Sequence, residues 1–331
     1  MPPRARPSPP PPPAVWEDGL RLRGSALWFD ARRACELSFV SDASRMARHR
    51  RILCTDLTAK ISGARGARKG ILPSPFGRAL SLGPLRLELF PSGRALGAAQ
   101  VLVEKGTTRF VYCGGVQPNE SLTAERFQVR PCDVLLLDCP YDSPGLVFPP
   151  RGQVRESIVE WVRETSAGGK TPVLLAAALG TGQELLKLLG DRDIPVRAHQ
   201  SIYDIAKRYR ELGVALAHAR RFRSTPVEGE AVIFPIALGA APAIRGIEEA
   251  RIALVSGRAA LPAEVARSRV DASFPLSSHA DGEGLLAMVR ATGAKHVVLS
   301  PRHGAPFEKL LRRRGLRVTR FSIPEQLGLL P

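Results

Sequence analysis

This 331-residue sequence has little lysine, few aromatic residues and no long apolar run. Lysine accounts for eight of its 48 basic residues, and aromatic residues make up 6% of the chain. No apolar run approaches the roughly 20 residues of a membrane-spanning helix, so we expect no membrane segment. The five cysteines are odd in number and lack C-x-x-C spacing. They favour free, buried thiols in the cytoplasm over a disulfide framework.

The first 16 residues are rich in proline and contain arginine, but they lack the apolar core of a signal peptide. We predict that residues 1–16 form a disordered, polyproline-like tail. The rest of the chain has a globular composition, with 44% hydrophobic and 24% charged residues overall.

The formal net charge is +17, and 40 of the basic residues are arginine. Arginine binds phosphate in a planar, forked geometry, so this composition favours a polyanionic partner. A genome that prefers arginine, alanine, proline and glycine codons explains the same numbers, and composition leaves both interpretations open.

Short strands dominate the first half of the chain, and strands alternate with helices from about residue 150. Segments 99–104 and 108–113 predict a β-hairpin, and segment 133–139 is a continuous apolar run that includes Asp138. We therefore predict a sandwich domain from 17–150, a smaller α/β domain from 151–265 and a return to the sandwich from 266–331.

One loop after a predicted strand carries few side chains that could bind a metal. The apolar run at 37–40 ends at Ser41, and the following loop carries Asp42, Ser44, Met46 and Ala47. Zinc needs about four nitrogen, oxygen or sulfur ligands. Among these four positions, only Asp42 has a donor of a useful type.

Five segments stand out in order along the chain: FVSDASRMARHRRILCT, FPSGRALGAAQ with FVYCGG, LLLDCPY, VLLAAALGTGQELLKLL, and FPLSSHADGEGLL with VVLSPRHGAP. Taken together, they resemble the β-CASP nucleases of the metallo-β-lactamase fold, in particular the bacterial DNA ligase-associated or mRNA 3′-end processing exonucleases. The likeness runs from about residue 20 to residue 321. The resemblance implies an α/β fold, an αββα sandwich with an inserted β-CASP α/β domain.

In that family the first loop reads S/T-H-x-H-x-D-H, and further motifs complete a dizinc site. Here Arg94 and Gly115 stand where the family has a histidine and an aspartate. The later residues Asp138 and His279 match family positions, and His303 lies two residues after the position of the last histidine. We expect zinc to be lost, because Arg94 places a fixed cation in the metal shell. Two-metal hydrolysis also needs a metal-activated water that arginine cannot supply.

Arginines cluster in sequence around this loop. We predict that Arg45, Arg48, Arg50 and Arg94 bind a phosphate backbone without cutting it, with Arg51, Arg65, Arg68 and Lys69 nearby. An ordinary solvated basic face is the alternative. His279 and Asp138 are expected to form a buried pair, and a structural role is favoured over phosphate handling.

Three functions follow from these residues and the resemblance. The leading one is a non-catalytic β-CASP homologue that binds nucleic acid or a partner such as a DNA ligase or helicase, in DNA repair or RNA processing. The second is a divergent hydrolase that uses Asp42, Asp138, His279 and His303 around a reduced metal site. The third is a structural module that dimerises with an active paralogue. The sequence leaves the oligomeric state and the choice between DNA and RNA open.

Overall fold

A computed structural model describes residues 12–17, 19–63, 70–217, 219–223, 228–301 and 303–321. The first 11 residues of the predicted tail lie outside the described residues, as do Arg65, Arg68 and Lys69. No helix in the described ranges is long and apolar enough to cross a bilayer.

The first sheet has six short strands in chain order, and its strands β3 to β6 run parallel to one another. Apolar side chains on alternate positions of β2 and β3 are buried, which is the pattern of a sheet with one covered face. These strands are β1 (Ala14–Trp16), β2 (Leu20–Leu22), β3 (Leu27–Phe29), β4 (Leu37–Phe39), β5 (Arg51–Cys54) and β6 (Ile71–Pro73).

The second sheet begins with an antiparallel meander. The predicted hairpin is confirmed, with Thr108 opposite Lys105 and Tyr112 opposite Val101. The next strand pairs in parallel with the second strand of the hairpin and is buried on both faces, as its unbroken apolar sequence predicts. These strands are β7 (Ala79–Leu82), β8 (Leu85–Pro91), β9 (Ala99–Lys105), β10 (Thr108–Cys113) and β11 (Val134–Leu137).

The third sheet is parallel throughout and belongs to the inserted α/β unit. Its last strand pairs with β16, so the sheet extends beyond the predicted boundary at residue 265. Its strands are β12 (Thr171–Ala176), β13 (Val196–Ala198), β14 (Arg220–Arg221), β15 (Ala231–Pro235), β16 (Ala250–Val255) and β17 (Ala272–Phe274). The chain then returns to the second sheet with β18 (His296–Leu299) and β19 (Arg317–Arg320).

Eight α-helices accompany the sheets in the described residues. They are α1 (Asp56–Ile61), α2 (Arg151–Ala167), α3 (Thr181–Gly190), α4 (Gln200–Glu211), α5 (Pro242–Arg245), α6 (Pro262–Ser268), α7 (Gly282–Thr292) and α8 (Ala305–Arg313).

The first two sheets pack face to face and form the centre of the sandwich. Their shared core includes Phe29, Phe39, Leu87 and Tyr112. Helix α1 contributes to the small apolar cluster on the outer face of the first sheet, and α7 and α8 cover the outer face of the second. The αββα sandwich predicted from the sequence is therefore confirmed.

The inserted unit shares an apolar core with the sandwich. Ile61, Ala95 and Ala98 of the sandwich belong to the same buried cluster as the residues under α2, α3 and α4. Helix α4 adds polar contacts across this junction, because the Tyr209 hydroxyl accepts a hydrogen bond from the Leu96 amide at 3.0 Å. The junction is thus a packed core rather than a hinge with few contacts.

Candidate functional site

The candidate site lies at the edge of the sandwich where parallel strands end. Strands β3 and β4 end there beside Asp30 and Asp42, and β10, β11 and β18 end beside Gly115, Asp138 and the Ser300 loop. The carboxyl ends of parallel strands share one edge, so residues far apart in sequence meet. Loop 92–98 brings Arg94 to the same place.

Arg94 lies between two of the predicted site residues. Its Nη1 is 2.6 Å from Asp42 Oδ2, and its Nε donates to His279 Nε2 at 3.1 Å. The side chains of Arg94 and Asp42 are only 10% and 3% exposed. Because arginine only donates, His279 Nε2 is the acceptor, and a neutral His279 carries its proton on Nδ1.

The charge of Asp42 is stabilised inside the protein. Burial by itself raises the pKa of this carboxyl group, but Arg94, hydrogen bonds from Ser44 and the more distant Arg45 outweigh burial and lower it. The Ser44 amide and hydroxyl both donate to Asp42 Oδ1, at 2.8 and 2.5 Å. Asp42 is therefore a buried carboxylate whose negative charge is balanced by Arg94.

A second arginine neutralises the neighbouring acids. Arg45 Nη2 lies 3.5 Å from Asp138 Oδ2, and Ser300 Oγ donates to Asp138 Oδ1 at 2.6 Å. Burial opposes the charge of Arg45, but Asp30, Tyr112 and Asp138 raise its pKa above the usual value. Two guanidinium groups, those of Arg94 and Arg45, thus balance the charge of the carboxylates at this edge.

Asp30 completes this buried network. It accepts hydrogen bonds from the Ser41 amide at 2.7 Å, from Ser41 Oγ at 2.6 Å and from the Tyr112 hydroxyl at 2.9 Å. Burial raises its pKa. The cavity beside Asp30, Arg45 and Asp138 measures about 10 Å³, which is close to the space of one water molecule.

Gly115 explains how Arg94 fits. A Cβ atom at this position would lie 2.8 Å from His279 Cε1 and 2.9 Å from Arg94 Cδ. Contacts this short are repulsive. A glycine here therefore leaves the space that the Arg94 and His279 side chains use.

The other predicted positions of the first loop have local roles. Met46 packs against the apolar cluster of Val40, Ile52, Cys54 and Ala59. Ser44 is exposed, although its hydroxyl bonds to Asp42, and Ala47 is half-buried.

His303 is buried in a separate contact. Its Nδ1 lies 3.0 Å from Asp142 Oδ2, which also accepts a hydrogen bond from the Gly304 amide at 2.9 Å. The His303 amide donates to the Ser300 carbonyl at 3.1 Å, so the loop that holds Ser300 beside Asp138 also carries His303.

The arginines predicted to bind phosphate do not lie together in one cluster. Arg51 pairs with Leu37, at the starts of β5 and β4, whereas Asp42 follows the end of β4. Loop 41–50 therefore crosses to the opposite end of the sheet. Arg50 lies there with its side chain 74% exposed and 3.1 Å from Glu36, and Arg48 is also exposed. Arg45 and Arg94 stay at the site, paired with carboxylates.

These residues do not fit a zinc ion. In the described part of the chain, no three His, Cys, Asp or Glu side chains are grouped so as to hold a metal. The Arg94 guanidinium lies between Asp42 and His279, and it donates to His279 Nε2, one of the two ring nitrogens that can bind a metal. Gly115 adds no donor. A cation already fixed beside the carboxylate opposes zinc binding.

Sequence reasoning missed Asp30, Tyr112 and Ser300. The signal for Asp30 was present, since it ends the apolar strand β3 in the same way that Asp138 ends β11. Nothing local marks Tyr112 or Ser300, because each acts through a partner more than 80 residues away.

Comparison with known proteins agrees with this architecture. No family model matches the chain. The chain is 33% identical over 94% of its length to the Opitutus terrae protein named "Probable DNA ligase". Over 36% of its length it is 24% identical to the Methanocaldococcus jannaschii protein named "RNase J-like protein".

The fold is that of the metallo-β-lactamase and β-CASP proteins. The αββα sandwich supplies the metallo-β-lactamase part, and the parallel third sheet is the β-CASP-like insertion. The matched regions cover 31% of the first relative and 30% of the second. Each relative is thus much longer than the region it shares with this metallo-β-lactamase-fold chain.

Proposed function

We propose that this chain is a non-catalytic relative of the β-CASP exonucleases that binds nucleic acid. The observation that carries the loss of catalysis is Arg94, which lies 2.6 Å from Asp42 and donates to His279 beside Gly115. Hydrolysis in this family requires a metal-activated water, and a guanidinium group supplies charge without that water. The net charge of +17 and the two nucleic-acid-related relatives support the binding role.

The first relative suggests the setting. A protein named as a DNA ligase contains a region similar to nearly this whole chain, and that region is about a third of its length. We therefore propose that this chain acts together with a DNA ligase, as part of one polypeptide or as a separate protein. A helicase partner is a further proposal that rests on the family resemblance alone.

The metal content of the protein tests the catalytic part of the proposal. Protein purified without chelator, challenged with zinc and then desalted is expected to hold far less than one zinc per chain, because Arg94 competes for Asp42 and His279. Elemental analysis makes the measurement, and a nuclease assay with added Zn²⁺ or Mn²⁺ accompanies it. One or two tightly held ions, or metal-dependent cleavage, would instead favour the divergent hydrolase that uses Asp42, Asp138, His279 and His303.

The salt dependence of binding tests the nucleic-acid role. If six to ten phosphates are contacted, affinity for an oligonucleotide should fall on the order of 10³–10⁵-fold between 50 and 200 mM salt. The exposed Arg48 is the variant of choice, since Arg45 and Arg94 already pair with acids. Arg48→Ala is expected to reduce the slope of log affinity against log salt concentration by about one, which corresponds to one lost phosphate contact.

Arg126→Ala provides the matched control, because Arg126 is an exposed arginine in the chain segment before β11, 3.6 Å from Glu120. Affinity that barely changes with salt would remove the binding role and favour a structural module. Equal effects of the two alanine variants would place Arg48 outside the contact surface.

A further inference from the structure

A cavity of about 360 Å³ opens at the end of the sandwich opposite the candidate site. Its volume lies within the range of small-molecule sites. It lies between the starts of β3, β4 and β5 on one sheet and the tip of the β7–β8 hairpin on the other. The lining residues are Gly24, Ser25, Ala26, Leu27, Glu36, Leu37, Arg51, Leu82, Gly83, Pro84 and Leu85.

The two walls of this cavity are apolar and face each other. Leu27 and Leu37 are paired in register across β3 and β4, and Leu82 and Leu85 are paired across the hairpin. All four contribute to the sandwich core. The cavity volume and this apolar lining suit a small apolar group.

Cations surround the opening. Arg51 continues the row of Leu27 and Leu37 and is exposed, and within the described residues it forms no ion pair. Lys105 lies opposite Leu85 and donates to the Gly24 carbonyl at 3.2 Å, and Arg50 lies beside Glu36. Of the lining residues, Arg51 and Glu36 carry opposite charges, and the neighbouring Arg50 and Lys105 make the surroundings of the opening basic.

We propose that this cavity receives an unpaired base of a single-stranded nucleic acid, with the adjoining phosphate on the exposed Arg51. A flat apolar body next to an anion is the chemistry of a nucleotide, and guanidinium groups bind phosphate well. In a duplex the bases are stacked and cannot enter, so single strands are selected. This inference rests on the proposed nucleic-acid binding and moves its contact surface away from the degenerate site.

The same walls make the site tolerant of base identity. The Ser25 hydroxyl donates to the Leu22 carbonyl at 2.9 Å and accepts from the Leu27 amide at 3.2 Å, so it is already engaged. Glu36 is paired with Arg50. Apolar contact with aliphatic side chains is non-directional and does not distinguish the bases, so we expect little sequence preference.

Fluorescence anisotropy with two probes of equal phosphate count tests this site. Oligothymidine should bind the full chain about tenfold more tightly than an abasic oligonucleotide of the same length. Ala26→Phe, which fills the cavity from an exposed turn, should remove that difference and leave abasic affinity unchanged. Arg51→Ala should weaken binding of both probes. Ala287→Phe, at an exposed position of α7, is the matched control.

The outcomes separate this inference from the proposed function. Equal affinity of the wild-type protein for the two probes, or no effect of Ala26→Phe, would overturn the base-binding cavity and leave nucleic-acid binding intact. Absence of binding to either probe would overturn both. The cavity would be assigned to a protein partner instead if an acidic, leucine-containing peptide bound the wild-type protein more tightly than oligothymidine did and lost its affinity in Ala26→Phe.

Discussion

Replacing Arg94 with methionine is expected to lower the free energy of unfolding by about 3–5 kcal/mol at pH 7. Methionine keeps much of the side-chain volume but removes the charge that faces Asp42 at 2.6 Å and the hydrogen bond to His279. Asp42 then remains as a buried carboxylate without its main counter-charge. Urea unfolding followed by circular dichroism makes the measurement.

The difference in unfolding free energy between the wild-type protein and Arg94→Met should depend on pH. Arg94 and the Ser44 hydrogen bonds hold the pKa of Asp42 below its usual 3.8, so their stabilisation is present above that pH and is lost as pH falls through the folded-state pKa. In Arg94→Met, the loss of that guanidinium should raise the pKa of Asp42 relative to the wild-type protein. The stability difference between wild type and variant should therefore be largest near neutral pH and narrow as the pH approaches 3.8.

Arg50→Met is the control for this experiment. Its side chain is 74% exposed and pairs with Glu36 at 3.1 Å, so the expected loss is about 0–1 kcal/mol. A loss below about 1 kcal/mol for Arg94→Met, or equal losses for the two variants, would show that Arg94 is not the counter-charge that the geometry indicates.

Replacing Glu184 with glutamine is expected to cost about 3–5 kcal/mol as well. The Glu184 side chain is 2% exposed, and its two oxygens lie 2.5 Å from Arg151 Nη2 and 2.7 Å from Arg155 Nη2. Glutamine leaves two largely buried guanidinium groups without their acid. Arg151 also donates to the Ser277 carbonyl, so the loop that carries His279 should exchange its amide hydrogens faster.

Glu156→Gln is matched to this variant because Glu156 lies on α2 with both arginines but is 57% exposed beside Arg192. Its expected cost is about 0–1 kcal/mol. Similar unfolding curves for the two glutamine variants, or unchanged amide exchange around Ser277, would contradict a role of Glu184 in holding Arg151 against the Ser277 carbonyl.

Local patterns predicted the elements of this fold well. The β9–β10 hairpin and the buried β11 follow from alternation and from an unbroken apolar run, and both signals are contained within a few residues. Asp138 and His279 were assigned to the site through the family resemblance, and the apolar run before Asp138 predicted only its place at a strand end. Their surroundings come from the way that parallel strands align their ends.

The parts that sequence could not provide depend on long-range geometry. Arg50 and Arg51 follow Asp42 closely in the chain, yet loop 41–50 carries them to the other end of the sheet. Glu184 lies in an apolar stretch of α3, and its role depends on Arg151 and Arg155, which lie 33 and 29 residues earlier in the chain. A run of charged residues shows that a segment is rich in charge. Only the strand register shows which of those charges lie on the same surface.

The crowding around Gly115 has a consequence for how this chain can change over time. An aspartate there meets Arg94 and His279 before it can offer an oxygen, whereas exchange of Arg94 first leaves Asp42 buried without its counter-charge. Either single step towards a metal site passes through a destabilised protein. For the non-catalytic protein that we propose, several loops must therefore change together before a metal site could form, and the arrangement acts as an evolutionary ratchet.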